Sequence, residues 1–429
     1  MPQSEFSARY RHYVLFILFL TYVLNFLDRQ LMTILLEPIK QEFGASDTAM
    51  GFLTGFAFAL FYATLGIPVA RLADAWSRRN VIAISITLWS GMTALCGAAG
   101  SFWQLALLRV GVGVGEAGGT PPSHSLITDY FPPEQRSTAF SIHATGTQFG
   151  VLIGMLGGAI IADALGWRMA FVIFGIPGVL LGLLIAFTVK EPLRAASPPT
   201  GTMWADIGKV WRLPGFMLIS CAGALTGLAG YGLGAWSPSF LIRIHGLTLV
   251  EAGILLGLTG AIGGIVGAVI GGVMCDRLSQ RDLRWQLWFP ALGAFASAPM
   301  MFAFVLWPES QAWSIRDFTI PVAMVFMLLG GIIAAFWIGP TYAAIQNLAP
   351  NHQRTQASAL FLFMFNLVGL GLGPLVIGIA SDALAPRLGD ESLRYAMAGG
   401  LTAVLLGGGL FWRAAPLYRD YLLSRPSPT

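Results

Sequence analysis

Long apolar stretches recur along the chain, separated by short polar breaks. Twelve can be traced, beginning near Tyr13, Met50, Asn80, Phe102, Ser137, Met169, Pro214, Glu251, Gln286, Phe318, Gln356 and Leu393. Each can supply the roughly 20 apolar residues that a helix needs to cross a bilayer core. Several contain Gly or Pro, which membrane helices tolerate because neighbouring groups re-satisfy the freed backbone. The pattern predicts an all-α integral membrane protein of twelve transmembrane helices.

Composition agrees with this. Of 429 residues, 55% are hydrophobic and only 11% charged, whereas a soluble chain carries about 25% charged residues. Most of the 52 glycines lie inside the apolar stretches, as small residues do where helices approach closely in lipid. The first residues, MPQSEFSARYRHYV, lack an apolar segment followed by a small-residue cleavage site, so no cleaved signal peptide is expected. Cys96, Cys221 and Cys275 stand at no metal-binding spacing and read as small buried hydrophobes. Neither a metal nor an organic cofactor is expected.

Charge orients the spans. Of the Lys and Arg in the breaks, roughly three in four fall on the side that carries both termini, which the positive-inside rule assigns to the cytoplasm. The net charge of +4 is mostly this topological signal and calls for no nucleic-acid partner.

The longest charged, Pro-containing break is KEPLRAASPPTGTMWADIGKVWR, Lys190 to Arg212. It divides the spans into two sets of six and predicts an N-terminal bundle over 1–189, a cytoplasmic linker over 190–213 and a C-terminal bundle over 214–429. ARLADAWSRR, Ala70 to Arg79, follows the second span of the first set. GVMCDRLSQR, Gly272 to Arg281, follows the second span of the second. Both read small-x-x-x-Asp-x-x-Ser-x-Arg, with Asp74 and Asp276 in register, which points to duplicated, parallel halves.

Twelve spans, a charged middle break and an Asp-x-x-Gly-Arg-Arg-like loop after span two resemble the major facilitator superfamily. The family pattern has Gly where Ala70 and Ser77 stand here. The resemblance implies two pseudo-symmetric six-helix bundles around a central cavity lined by spans 1, 4, 7 and 10. It also implies that Asp74, Arg78 and Arg79 hold a cytoplasmic gate, with Asp276 as the second-half counterpart. The bland alternative is that these charges only set topology. On span five, Gly146, Gly150 and Gly154 recur every four residues and let two helices approach. The family's antiporter motif has Pro where Val151 stands, so this spacing reads equally as plain packing.

Ionisable residues inside spans are functional candidates. Away from span ends these are Asp28, Arg29, Arg109, Glu116 and His143. At 1.5 Å per residue, Asp28 lies roughly 12 Å and Arg109 roughly 10 Å below the outer face. Equal depth makes them candidate partners. Glu116 shares the Arg109 face but sits about 10 Å deeper. Arg29 is about 100° around the helix from Asp28, so it needs a partner or water of its own. Two acids and two bases would be neutral together. They could equally be locked ion pairs that only fix packing. His143, among Ser141, Thr145, Thr147 and Gln148, reads as a substrate contact or as an interhelical hydrogen bond.

LLRVGVGVGEAGGTPPSHSLITDYFPPEQR, Leu107 to Arg136, and NFLDR, Asn25 to Arg29, resemble the Spinster-like branch, the lysolipid and sphingolipid transporters. With it comes an expected place in the bacterial inner membrane. Asp28, ionised, is expected to pair with Arg109. A proton on Asp28 would free that arginine, Arg29 or Arg109 would take an anionic head group, and Glu116 would be a second proton site or steady Arg109. The second half offers aromatic surface instead, in YGLGAWSPSF, AAFWIGPTY and FLFMFN. Tyr231 and Trp337 are its candidate substrate contacts.

The expected function is proton-coupled transport of an amphiphilic lipid by alternating access, by a monomer. The alternatives are a proton-driven multidrug exporter and a small organic-anion carrier. No metal cluster, Gly-x-Ser-x-Gly elbow or phosphate-binding Gly-Lys loop is present. His124, Ser125 and Asp129 are too close along one helix for a triad, so no enzyme is expected.

Overall fold

Short polar residues at the breaks set where the helices begin. In the computed structural model, which describes residues 6–192, 208–316, 318–350 and 353–424, Ser7 accepts from the Tyr10 amide and caps α1 (Ala8–Ile34). A short α2 (Leu36–Phe43) ends on Gly44, whose φ of 58° suits glycine. Ser46 caps α3 (Asp47–Gly51), which runs through a π-helical turn, Phe52–Phe56, into α4 (Ala57–Ala75). Ser77 caps α5 (Arg78–Cys96) and Ser101 caps α6 (Phe102–Glu116). Three residues break that span before α7 (Thr120–Tyr130). Then come α8 (Pro133–Leu165) and α9 (Trp167–Thr188).

The second half follows with α10 (Phe216–Arg243), α11 (Leu249–Ser279) and α12 (Trp285–Leu306). α13 (Ala323–Ala334) passes through a 3₁₀ turn, Ala335–Trp337, into α14 (Ile338–Leu348). α15 (Arg354–Met364) is joined to α16 (Gly373–Leu388) by a second π-helical segment, Phe365–Leu372. α17 (Ser392–Leu423) is last. Of the expected linker, residues 193–207 lie outside the described residues.

Three expected boundaries move. The span expected from Tyr13 starts at Ala8, behind its Ser7 cap. The span expected from Ser137 starts at Pro133, because Pro is pre-organised for a first helical turn. The span expected from Phe318 does not start there. Phe318–Pro321 is a strand, β2, paired antiparallel with β1, Ala312–Ile315. The residues alternate aromatic or β-branched with polar, a period of two rather than 3.6. The helix begins only at Ala323.

The chain clusters into two compact units. The first holds the elements through α9 together with Thr248–Gly257, the start of α11; the second holds α10 and everything from Leu258 onward. In the first, close backbone approach fixes the register of the charged helices. A Cβ on Gly113 of α6 would meet the Phe58 carbonyl of α4 at 2.6 Å, and one on Gly150 of α8 the Val23 carbonyl of α1 at the same distance. Only glycine allows either contact. In the second, Phe216, Ile219, Leu287, Phe361, Phe411 and Tyr418 form the middle of one buried core.

Candidate functional site

Inside the first unit, α1 and α6 bring four ionisable side chains into one largely buried cluster. Asp28 is 3% exposed, Arg109 1% and Glu116 0%. Arg109 Nη1 donates to Asp28 Oδ2 at 2.8 Å. The Thr93 hydroxyl, on α5, donates to the other Asp28 oxygen. Arg29 donates through Nε and Nη2 to Glu116 Oε2, at 2.9 and 2.8 Å. Asn25 Nδ2, one turn before Asp28 on α1, donates to that same oxygen at 2.8 Å.

The two pairs therefore cross between the helices with opposite polarity. α1 supplies an acid to a base of α6, and a base to an acid of α6. Because Asp28 and Arg29 diverge by about 100°, one helix can serve two separate partners. Those partners lie about two turns apart on one face of α6.

Equal depth thus does join Asp28 to Arg109. The hydrogen bonds of Glu116 go to Arg29 and Asn25 rather than to Arg109, although its charge still acts on that arginine, and Arg29 has the partner of its own that its place on the helix requires. A buried guanidinium takes the nearest carboxylate, because an unpaired charge in low dielectric is too costly. Arg29 also lies 5.2 Å from the Phe26 ring centroid, 5.0 Å from Phe58 and 4.6 Å from Tyr62. Phe58 is shared, for Arg109 sits 5.4 Å from the same ring. Such rings hold a desolvated cation without adding charge. Two buried polar atoms of α6 have no hydrogen-bond partner, Arg109 Nε and Glu116 Oε1.

His143 is 2% exposed and stacks on Tyr22, with centroids 4.5 Å apart and the His124 ring edge-on at 5.3 Å. It borders a cavity of about 10 Å³, lined also by Thr21, Asn25, Thr120 and Ser123. That is space for one water molecule. Asn25 faces both this cavity and Glu116.

The expected gate residues have different surroundings. Arg78, only 2% exposed, donates to Glu191 Oε1 at 2.8 Å, to Ser125 Oγ at 2.8 Å and to Asp129. Glu191 Oε2 accepts from the Ser77 hydroxyl and the Arg79 amide, each at 2.9 Å. Arg78 thereby ties the start of α5 to the end of α7 and to the chain after α9. The side chain of Asp74 lies outside the described residues, and Asp276 is exposed on α11.

In the second unit, Tyr231 of α10 and Trp337 of the 3₁₀ turn both pack on Phe365, with centroids 5.6 and 5.4 Å away. Phe361 stacks on Phe365 at 6.1 Å, and Tyr342 meets Phe361 edge-on at 5.2 Å. The rings fit because Gly227 and Gly223 of α10 leave room for them; a Cβ there would lie 2.5 and 2.7 Å from Phe365 and Phe361.

Sequence reasoning gave no role to Asn25, Phe58, Tyr62, Thr93 or Glu191; it weighed Asp129 only as a triad member and held Phe365 only within the aromatic run FLFMFN. Asn25 had a signal, its place one turn before Asp28. Phe58 and Tyr62 are one turn apart on α4, but so are many apolar pairs. Thr93 had none.

A family model, the Major Facilitator Superfamily, matches residues 18–374. The chain belongs to this superfamily. An "MFS-type efflux pump" of Mycolicibacterium smegmatis is 39% identical over 94% of this chain and 92% of its own length. Spinster homolog 1 of Xenopus tropicalis is 26% identical over 95% of this chain and 81% of its own. Among solved structures, a bacterial homologue of the human lysosomal transporter Spinster, crystallised inward-facing and unoccupied, superposes with a TM-score of 0.84. It is 30% identical and covers 99% of this chain and 100% of that one. Within the superfamily the protein is Spinster-like, a membrane transporter and not an enzyme.

Proposed function

We propose that the protein carries an amphiphilic lipid, a lysophospholipid or sphingolipid-like molecule, across the bacterial inner membrane by proton-coupled alternating access. It would work as a monomer with both termini cytoplasmic. The observation that carries this reading is the division of chemistry between the halves. The first buries a neutral quartet, Asp28, Arg29, Arg109 and Glu116. The second presents joined rings, Tyr231, Trp337 and Phe365. An ionised head group needs guanidinium donors, and an alkyl tail needs apolar surface. Similarity to Spinster proteins, one of them described as a lysosomal transporter, supports transport as the activity.

Protons are the coupling ion in this reading. Protonation of Asp28 removes the charge that engages Arg109, whose Nε already lacks a partner. The freed guanidinium then takes a phosphate or carboxylate. Glu116 accepts three hydrogen bonds on one oxygen and none on the other. A proton on Oε1 would weaken its hold on Arg29 without displacing a donor. Glu116 is therefore the second proton site.

The test is flux in proteoliposomes under an imposed pH gradient, with a lysophospholipid panel and a hydrophilic anion. Wild type should move the lysolipids and not the anion. Asp28→Asn should lose the pH-driven component while remaining folded. Undiminished pH-driven flux in that variant sinks the proton switch. The efflux-pump relative, at 39% identity, favours a second reading, a proton-driven multidrug exporter. Transport of lipophilic dyes without lysolipid flux would select it.

A further inference from the structure

The strands β1 and β2 form an isolated two-stranded hairpin between α12 and α13. Its register pairs Trp313 with Ile320 and Ile315 with Phe318, and Ser314 with Thr319 between them. Directly opposed residues of an antiparallel pair project to the same face, and successive residues alternate faces. One face is therefore Trp313, Ile315, Phe318 and Ile320, wholly apolar, and the other carries Ser314 and Thr319. The apolar face is not packed into the protein. Trp313 is 50% and Ile315 62% exposed, and Phe318 and Ile320 are partly exposed.

The base of the hairpin is also tied down. The Val322 amide donates to the Gln311 carbonyl at 3.0 Å and closes its base. Trp307 Nε1 donates to Gln311 Oε1 at 3.1 Å, and the Trp307 ring packs on Phe326 of α13, centroids 4.6 Å apart. The base thus sits directly on the ends of two membrane-crossing helices. Those helices turn Leu306, Val325 and Leu329 outward, each 40% exposed or more. Exposed apolar residues thus run from the ends of α12 and α13 into the hairpin between them.

We infer that this hairpin is an interfacial anchor whose apolar face rests in the lipid surface, at the level between head groups and acyl chains. A lone two-stranded hairpin in water is marginal, and four bare apolar side chains make it more so. The hydrocarbon core is closed to it as well, because its unpaired strand edges need water or head groups as partners. Only the interface satisfies both demands, and Trp is enriched there because its ring suits that level. Arg316, exposed in the turn with φ 56°, can reach lipid phosphate from such a position. The inference does not depend on which substrate is carried.

The experiment compares two adjacent positions on opposite faces. Ile315→Cys and Ser314→Cys are each spin-labelled in full-length protein whose three native cysteines are replaced by alanine. The protein is placed in nanodiscs of phosphatidylethanolamine and phosphatidylglycerol. The ratio of oxygen to nickel-chelate accessibility should be several-fold higher at 315 than at 314. Equal ratios would place both faces in water and overturn the inference. Exclusion of both probes at 315 would overturn it too, by showing that protein covers the face. Should the cysteine-free chain fail to fold, Trp313 fluorescence serves instead. Brominated lipid should then quench wild type more than Trp313→Phe, and equal quenching would count against the anchor.

Discussion

Around α6 the first half of the chain buries two acids and two bases; around the segment Phe365–Leu372 the second half packs rings. Both clusters depend on glycines that let helices approach, yet their rules differ. Each charge in the first cluster has a discrete partner, so removing one leaves another orphaned in low dielectric. Each ring in the second contributes by area, so trimming one removes only its share. The first half should therefore respond to mutation as an all-or-none device, and the second as a graded surface.

The largest break comes from Arg109→Ala. It leaves Asp28, 3% exposed, with only the Thr93 hydroxyl, and orphaning one partner of a buried pair costs about 3–5 kcal/mol. Thermal unfolding in detergent should show a large loss. The double variant Asp28→Asn with Arg109→Gln should recover most of it, because no charge is then unpaired. If single and double variants unfold alike, the pair is not interdependent and the contrast between the halves loses its basis.

Arg29→Lys comes next. It keeps the charge but loses the fork that places Nε and Nη2 on one Glu116 oxygen. It also loses the flat face against Phe26, Phe58 and Tyr62. Lys is a point charge and cannot replace either feature. Flux should fall about tenfold with the fold retained, as loss of one charge-assisted bond would give. Unchanged flux would reduce Arg29 to a packing residue.

The helical frame was legible because membrane spans announce themselves by length and apolarity; the Ser7 cap, which sets the first start at Ala8 rather than Tyr13, was not read. The partnership of Asp28 with Arg109 was legible because rise per residue converts position into depth. Depth says nothing about azimuth, however. That is why Arg29 looked unclaimed, although Glu116, one and a half to two turns deeper, accepts it. A long guanidinium side chain can travel along the helix axis in a way that a count of residues does not register. Phe365 was hidden differently. It lies in a run of apolar residues, and only the π-helical turn at Phe365 distinguishes it from its neighbours. The hairpin was missed because a hydropathy window does not separate a short alternating segment from the start of a span.

Phe365→Ala should have an intermediate effect, removing the ring on which Tyr231 and Trp337 meet. Partial loss of a ring contact is worth about 1–2 kcal/mol, roughly a tenfold rise in KM for a long-tailed substrate. Phe365→Leu should fall between it and wild type. A short-chain substrate should notice neither change. An abrupt loss with both variants would mean that the aromatic cluster is as discrete as the charged one.

The smallest effect is expected where the same chemistry is exposed. Glu42, at the end of α2, accepts from Arg168 Nη1 at 2.6 Å and from Trp167 Nε1 at 2.7 Å. The Glu42 and Arg168 side chains are 43% and 36% exposed. These donors, Arg168 first, hold the Glu42 carboxyl below its ordinary range. A carboxyl whose folded value is depressed adds stability above its unfolded value and loses it as pH falls through the folded one. Glu42→Gln should therefore destabilise the fold slightly at neutral pH, by less than about 1 kcal/mol and with a correspondingly small fall in thermal midpoint, since water and salt screen such a pair. The gap should close in acid, below the ordinary glutamate range. High salt should narrow it too, while leaving the deficit of Arg109→Ala nearly untouched. Burial, rather than the identity of the charged groups, would then account for the all-or-none character of the quartet. A Glu42 deficit that survives both acid and salt would instead mean that geometry alone can make such a pair indispensable.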